Sequence, residues 1–530
     1  MTCFCSTPPL KAAGESLETA SHGKASFHAL VQDNGPFALT VAKIGGREQV
    51  VYRHAPRTLL DVFRKASRSA KKVFLVDDQT SVTYEELSQR AASYAALLSA
   101  RGIRPGMRVA LALSDELDWI ACFVAVTSLG AVAVLAGDIL DCDTAIADQK
   151  HKDSCFSAAE LAATRIAPQA QPSAPQIDPD MDACIAFTSG SSGPPKGVVL
   201  THRGLVTGLM NMILAGASAA RTAPASRPVP ARPVAPSILL RTPLNHVSGY
   251  MQVLLMFMLG GKIVRSGRHD IAGLIEEQQV TSVTGISDRE ISALLEKSAV
   301  PGLGCLRSVA TVGRRIPASL RLALRNNWPS LGLGTGYGLT ETCGLVCAIG
   351  NQELDARPFA VGQPLPTVEC RITGVDGTDC RAEDAGEIWL RGAMVMRGYC
   401  NVPGHRMPDG WFATGDVGFM ADDGMLHVLD RADRFLRIGR DRVSCRDIEN
   451  AIGNACAGEV AALPFKRGPD KDGLLIVLGG RVPSDIAALK SLLLSQFPAI
   501  PEPQFVIRDG LPRTGSGKIA YARLLTEARW

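Results

Sequence analysis

The chain has no strong excess of either charge. Its 530 residues hold 56 Lys and Arg against 52 Asp and Glu, a formal +4 with acids and bases interspersed. That balance gives no basic footprint for nucleic acid. Paired Cys-x-x-Cys ligand sets are also missing. The 14 cysteines are scattered, and the close pairs Cys3/Cys5 and Cys343/Cys347 come without a histidine cluster. Neither a zinc site nor a disulfide framework is expected, and most of these cysteines read as small buried hydrophobes in a reducing compartment, the cytoplasm. No apolar run is long enough to span a bilayer. Tyr250 to Leu259, bounded by Gly249 and Gly260-Gly261, reads as a buried helix. The first residues lack a basic region followed by an apolar core, so no secretory signal is expected.

What is present is ample apolar material, 46% of residues against 20% charged, in a chain long enough for several domains with full cores. One stretch organises the rest: Thr188-Ser189-Gly190-Ser191-Ser192-Gly193-Pro194-Pro195-Lys196-Gly197. Before it, Ala183 to Phe187 reads as a buried strand. After it, Val198-Val199-Leu200 leads into a helix near Thr201-His202. Its glycines allow tight turns and close approach to a ligand. Hydroxyls and exposed N–H groups can surround phosphate oxygens, and Lys196 adds a mobile cation. It is not a Walker A loop, which needs Gly-Lys-Ser/Thr in succession. The bland alternative is a flexible Gly/Ser linker, which a stiff Pro-Pro-Lys-Gly between apolar segments argues against.

Before this loop, apolar strands alternate with helices, implying parallel sheet built from βαβ units. Two short strands lie around Gly45-Gly46. Thr58 caps a helix, Val73 to Val76 is a strand, and Thr83 with Glu86 forms a capping box. A strand at Val109 to Leu113 precedes a helix from Trp119 to Leu129. Residues 137–180 read as a trimmed surface region, and 221–236 as an exposed loop rich in Pro, Ala and Arg. Residues 359–400 alternate in short segments, suggesting a β-rich subdomain. Beyond Asp433 the pattern is α+β.

The loop closely resembles the signature of the adenylate-forming (AMP-binding) superfamily, and further motifs extend the resemblance over about residues 37 to 526. They are Pro243-Leu244-Asn245-His246-Val247-Ser248-Gly249, Gly334-Thr335-Gly336-Tyr337-Gly338-Leu339-Thr340-Glu341, Thr414-Gly415-Asp416, Asp430-Arg431-Ala432-Asp433 and Pro512-Arg513-Thr514-Gly515-Ser516-Gly517-Lys518. Fatty-acyl-CoA synthetases and other acid–CoA ligases are the members most similar. The resemblance implies an α/β fold. A large N-terminal domain of parallel sheets with a β-rich subdomain would span 37–432. A small mobile α+β domain would span 433–530, and a poorly ordered segment 1–36.

It also implies roles. Thr188, Ser189, Gly190, Ser191, Ser192, Gly193 and Lys196 would hold ATP, with Gly336, Tyr337 and Gly338 at adenine. Asp416 would hold the ribose hydroxyls, and Arg431 would hold ribose or phosphate. Thr340 and Glu341 would stand by the phosphates, with Glu341 on Mg²⁺ through oxygen. His246, Gly249, Gly313 and Gly334 would border the acyl pocket, and Asp433 would be the hinge. Gly439 and Arg440 would face CoA, and Lys518 would be the catalytic lysine. Each has a plainer alternative: a hydrogen-bonded core histidine at 246, a surface-turn aspartate at 416, a solvent-exposed lysine at 518.

The activity implied is joining a carboxylic acid, a fatty or other apolar one, to AMP from ATP, then transfer to CoA. A separate carrier protein as acceptor and a non-catalytic nucleotide-binding relative are the alternatives. The latter should lack Lys518 or Glu341, and both are present. Three departures stand out. Gly439-Arg440-Asp441 replaces the family's Gly-Gly-Glu, so Arg440 narrows the CoA tunnel or binds a CoA phosphate. Arg314-Arg315 stand where small residues follow Gly313 near the nucleotide. Cys445 replaces a common proline.

Overall fold

The computed structural model describes residues 27, 29–135, 142–148, 155–164, 175–188, 195–223, 235–268, 270–296, 303–313, 315–438, 441–453, 458–466, 472–480, 485–514 and 519–527. Two large sheets form its frame. In the seven-stranded sheet the order is Gly398–Tyr399, Lys196–Thr201, Asp182–Thr188, Val132–Leu135, Arg108–Ala112, Thr144–Ala147, Cys155–Ser157. Its last five strands are parallel, and the first two pairings are antiparallel. The nine-stranded sheet runs Gln363–Pro364, Gly344–Gly350, Gly332–Leu339, Ser308–Val312, Ser282–Thr284, Ser237–Leu240, Lys262–Val264, Val73–Val76, Ser81–Thr83, parallel in its interior. The sheets are therefore mixed, with antiparallel hairpins where the organising loop and the Gly-rich motif lie.

Burial follows sequence in the expected way. Val132–Leu135 and Ser237–Leu240 are buried along their whole length, as strands covered by helices on both faces must be. The helix His202–Arg221 and the apolar helix Val247–Leu259 lie in one large core cluster with residues of both sheets. The cluster holds an aromatic nest in which Phe257 stacks on Phe74 at 4.8 Å and meets Phe63 and Tyr84 edge-on. The Tyr84 hydroxyl donates to the carbonyls of Met256 and Gly261, both at 2.7 Å. Asn211, fully buried, accepts from Tyr52 at 2.7 Å and Thr367 at 2.8 Å. That satisfied amide ties the first hairpin, the long helix and the β-rich region together.

The β-rich region is a four-stranded antiparallel sheet, Glu369–Thr373, Gly386–Arg391, Phe412–Met420 and Leu426–Arg431. Further on, a three-stranded sheet of Glu459–Lys466, Asp472–Gly479 and Gln504–Arg508 packs with helices Cys445–Gly453 and Ile486–Gln496. Its apolar side chains form their own clusters around Leu436, Ile448, Ile476 and Leu493, and around Leu463, Leu475 and Leu524.

Local signals read well. Thr58 and Thr83 are N-caps with capping boxes to Asp61 and Glu86. The helix placed at Trp119 begins earlier, at Glu116, because Asp115 accepts from the Asp118 N–H and caps it. The region 137–180 is corrected more deeply. Its strand Thr144–Ala147 is wholly buried and pairs in parallel with Arg108–Ala112, inside the sheet rather than on the surface. Short, Ala-rich strands carry little periodicity, which is why composition alone misled. Most of 221–236, residues 224–234, lies outside the described residues, as do residues 1–26 of the segment 1–36.

His202 opens the long helix with no exposed surface; its Nδ1 accepts from Leu59 N–H at 3.4 Å and its Nε2 has no partner. Burial pulls its pKa down from the ordinary 6.5 to about 4. The folded chain thus takes up this proton later than the unfolded chain on acidification. Stability from the neutral ring is full above the unfolded value and falls as pH drops through that window, by about 3 kcal/mol in total. Urea midpoints recorded from neutral pH down to about pH 4 should fall more steeply for the native chain than for His202→Gln; parallel slopes would remove His202 from the acid response.

Candidate active site

The parallel strands of the nine-stranded sheet end on one side, where such sheets commonly bind ligands. Strand Ser237–Leu240 leads to His246, Ser308–Val312 to Gly313, and Gly332–Leu339 to Thr340 and Glu341. Helix Val247–Leu259 starts there, with His246 as its N-cap; the ring Nδ1 accepts from Ser248 N–H at 3.2 Å. So His246 has a structural task at a helix end. Gly249 is dictated by packing, since a Cβ there would lie 2.0 Å from the Pro243 carbonyl oxygen. Gly313 has φ +76° at its strand end. Gly334 sits in the neighbouring strand opposite Ala310, where a Cβ would find only ordinary contacts.

The Gly-rich motif is a strand, not a turn. Gly336 and Gly338 pair with Ala348 and Leu345 of the next strand. The sequence suggests that these glycines leave room for a flat base. In the structure both positions also answer to protein neighbours: a Cβ at 336 would meet Leu345 at 2.4 Å, and one at 338 the Gly344 carbonyl oxygen at 1.9 Å. A tight hairpin with a bulge is what requires glycine there.

Tyr337 in that strand is 6% exposed, and its hydroxyl donates to Asp416 at 2.6 Å. Asp416 also faces Arg431 Nη1 at 3.3 Å, and that nitrogen donates to the Thr414 carbonyl at 2.8 Å. Burial pushes the Asp416 carboxyl up, against the pull of Arg431 and the Tyr337 hydrogen bond. Arg431 is held above its ordinary range: burial opposes its charge, but Asp416 and then Asp433 outweigh it. Asp433 itself is exposed, 4.0 Å from Arg431. Three of the expected nucleotide residues thus form one connected triad, with Tyr337 and Asp416 buried and 39% of the Arg431 side chain exposed.

A second group gathers around the organising loop. Thr188 and Lys196 are register partners at the ends of two antiparallel strands, so the loop between them is a hairpin connection. Ser189, Gly190, Ser191, Ser192 and Gly193 lie outside the described residues. The Lys196 ammonium stands 5.2 Å over the Tyr399 ring. The Tyr399 hydroxyl donates to Glu341 at 2.8 Å. Asn401 accepts from Gly197 N–H and donates to the Pro195 carbonyl, both at 2.8 Å. A Cβ at Gly197 would lie 2.4 Å from Cys400 Sγ, so this glycine answers to a protein neighbour as well. Tyr399 and Asn401 escaped the reading of the sequence. The signal available was the Gly398-Tyr399 pair at the end of the β-rich run, which reads only as a strand.

Arg314 lies outside the described residues, as do Gly439, Arg440 and Lys518. Arg315, expected near the nucleotide, turns away. Its Nη2 donates to the carbonyls of Phe359 at 2.6 Å and Val428 at 3.2 Å, and Arg446 reaches the same Val428 oxygen. Burial, then the charge of Arg446, lowers its pKa to about 10. The loop that carries Lys518 is closed at its base by a bridge between Arg513 and Ile519, and by Ala520 N–H to the Pro512 carbonyl at 2.7 Å.

Beyond that base, Tyr521 lies under the Arg434 guanidinium at 3.9 Å. Arg434 pairs with Glu449 at 2.7 Å and Asp430 at 3.5 Å, and Glu449 accepts from Tyr521 at 3.1 Å and Ala462 N–H at 2.9 Å. The Asp430 side chain is 1% exposed and the Arg434 side chain 12%.

Together these features define a nucleotide-handling α/β enzyme. Residues 62–143 and 138–400 match the model of the AMP-binding enzyme family, and the chain belongs to that family. A feruloyl-CoA synthase from an Amycolatopsis species is 28% identical over 490 residues, covering 86% of this chain and 96% of that protein. A long-chain-fatty-acid–CoA ligase of Escherichia coli O157:H7 is 27% identical over 369 residues, covering 67% of this chain and 63% of that one. The fold is shared with o-succinylbenzoate CoA synthetase (MenE) of Bacillus subtilis in complex with its acyl-adenylate, at TM-score 0.73 and 21% identity over 89% of this chain and 98% of that one.

Removing Arg434 leaves two buried carboxylates facing each other. Arg434→Leu should cost about 3–5 kcal/mol in chemical unfolding, and adding Glu449→Leu should recover part of it. A single variant within about 1 kcal/mol of the native chain would mean that the cluster contributes little.

Proposed function

We propose that this chain is an ATP-dependent acid–CoA ligase acting on an apolar carboxylic acid. The observation that carries the reading is the convergence of Lys196 and Glu341 on one tyrosine, beside the Tyr337–Asp416–Arg431 triad. A cation, a hard-oxygen carboxylate and a carboxylate–guanidinium pair are what a nucleoside polyphosphate requires. In the first step a carboxylate oxygen of the acid attacks the α-phosphorus of ATP. The bond to the bridging oxygen breaks and pyrophosphate leaves. In the second, the CoA sulfur bonds to the acyl carbon, AMP leaves, and the thiol proton passes to solvent.

Acid and ATP are both anions, so positive charge must be in place beforehand. Lys196 holds the β,γ-end of ATP. Asp416 takes the ribose hydroxyls, and Arg431, already fixed to the Thr414 carbonyl, supports ribose or phosphate. Lys518 neutralises charge developing between the carboxylate and the α-phosphate. The donor set suits Mg²⁺: the described residues hold no group of three His, Cys, Asp or Glu able to hold a metal, whereas Mg²⁺ binds through one or two carboxylates plus substrate phosphates. Glu341 with Thr340 would hold it, and when bound it shields the phosphate charge.

Residues 433–530 form a lid that turns about the exposed Asp433 between the two steps, withdrawing Lys518 and presenting Gly439 and Arg440 to CoA. For the acid we favour an aromatic over a long-chain compound, because the feruloyl-CoA synthase aligns over 490 residues and the fatty-acid ligase over 369. We place the enzyme in the cytoplasm. Its cysteines fit a reducing compartment, and no helix of the described residues is long and apolar enough to cross a membrane.

The test is acid-dependent pyrophosphate–ATP exchange over aromatic and fatty acids, followed by addition of CoA. Exchange should fall by about 10²–10³-fold in Lys518→Ala, and a CoA thioester should form in the native enzyme. Exchange without thioester would redirect the second step to another acceptor, such as a carrier protein. ATP binding with no exchange for any acid would overturn the ligase reading.

A further inference from the structure

We propose that Tyr399 is a positioning residue that couples the phosphate-loop lysine to the metal-side carboxylate, so that Lys196 and Glu341 meet Mg·ATP as one preset unit. The proposal rests on the ligase reading above.

Eight contacts carry it. The Tyr399 hydroxyl donates to Glu341 Oε1 at 2.8 Å, fixing one carboxylate oxygen and its direction. The face of the same ring lies under the Lys196 ammonium, 5.2 Å from its centroid. The backbone of Tyr399 is itself fixed, paired with Val198 two residues beyond Lys196. Its flanks are bonded to both partners: Met396 N–H donates to the Glu341 carbonyl and Cys400 N–H to the Gly197 carbonyl, each at 2.8 Å. Asn401 adds the clamp on Pro195 and Gly197. His405 meets the ring edge-on at 4.6 Å and limits its rotation from the side. Residues 396–401 therefore brace the organising loop against the turn that bears Glu341.

The physical consequence has two parts. A carboxylate held by a charge-assisted hydrogen bond offers its other oxygen in a defined direction, which sets how it meets a cation. A lysine resting on an aromatic face loses rotamer freedom before ATP arrives. One side chain thus lowers the ordering cost at both ends of the polyphosphate, and its hydroxyl and its ring can be separated experimentally.

Tyr399→Phe removes the hydroxyl and keeps the ring. Tyr399→Leu removes both. Binding of ATP would be titrated calorimetrically over a series of Mg²⁺ concentrations, alongside exchange kinetics and thermal melting. For Tyr399→Phe we expect the Mg²⁺ needed for half-maximal ATP binding to rise about tenfold, with Mg²⁺-free ATP binding and melting unchanged. For Tyr399→Leu we expect Mg²⁺-free ATP binding to weaken by a further factor of about three. A folded Tyr399→Phe with native Mg²⁺ dependence would overturn the inference while leaving the ligase reading intact. A native chain that binds ATP yet exchanges no acid would sink the ligase reading, and the Mg²⁺ titration would still decide the role of Tyr399. A native chain whose ATP binding ignores Mg²⁺ would overturn both.

Discussion

The hydrogen bond from Tyr337 to Asp416 is the contact on which the site depends. It joins the nine-stranded sheet to the four-stranded one at the point where both present polar groups. Neither partner could be buried alone: a lone phenol or carboxylate at this depth would be severely penalised. Together, and with Arg431 on the other carboxylate oxygen, they form a neutralised wedge between two layers. Arg431 is also where the last strand of the four-stranded sheet ends and the chain passes toward the C-terminal sheet. The edge of the Gly-rich strand and the end of the four-stranded sheet are thereby held by one group of three side chains.

This arrangement divides labour between rigid and adaptable parts. Tyr337, Asp416, the Asn211 node and most of the aromatic nest are buried, so they supply a fixed frame. Lys196 is exposed and Glu341 half-buried, held by a ring face and a single hydroxyl. Charges that must meet a polyphosphate gain from partial exposure, because full burial without a partner would neutralise them. The Arg434 cluster applies the opposite rule. It buries a guanidinium between two carboxylates and a ring, and anchors the helix after Ile519 to the segment after Arg431.

Legibility in the sequence follows the range of the interaction. The capping boxes at Thr58 and Thr83 were readable because both partners lie within one turn. The apolar runs beside the organising loop were readable because they flank it directly, and their antiparallel pairing came only with the fold. The motifs that carry Glu341, Asp416 and Arg431 were recognisable as motifs, and their mutual placement came only with the fold. Tyr399 was missed because nothing local distinguishes a strand tyrosine that bonds a carboxylate 58 residues away. The glycines at 336 and 338 carry a further demand that the sequence does not display. A glycine required by a neighbouring strand looks the same in sequence as one required by a ligand. The Ala-rich strand at Thr144–Ala147 shows the remaining limit: four residues, with Ile146 the one large side chain, are too short a run for a period to show.

The clamp between Asn401 and Gly197 spans 204 residues, and the contact from Tyr337 to Asp416 spans 79. Contacts of such separation cannot form while the later partner is still unsynthesised, and they close only after large loops have been ordered. During translation the loop around Lys196 leaves the ribosome about 200 residues ahead of the segment that braces it, an interval of some tens of seconds at ordinary elongation rates. Nucleotide-binding competence is therefore a property of the nearly finished chain. A fragment ending before residue 396 would carry the loop, Glu341 and the Gly-rich strand, but neither Tyr399 nor Asp416, so the enzyme has a built-in delay between making its most recognisable motif and being able to use it.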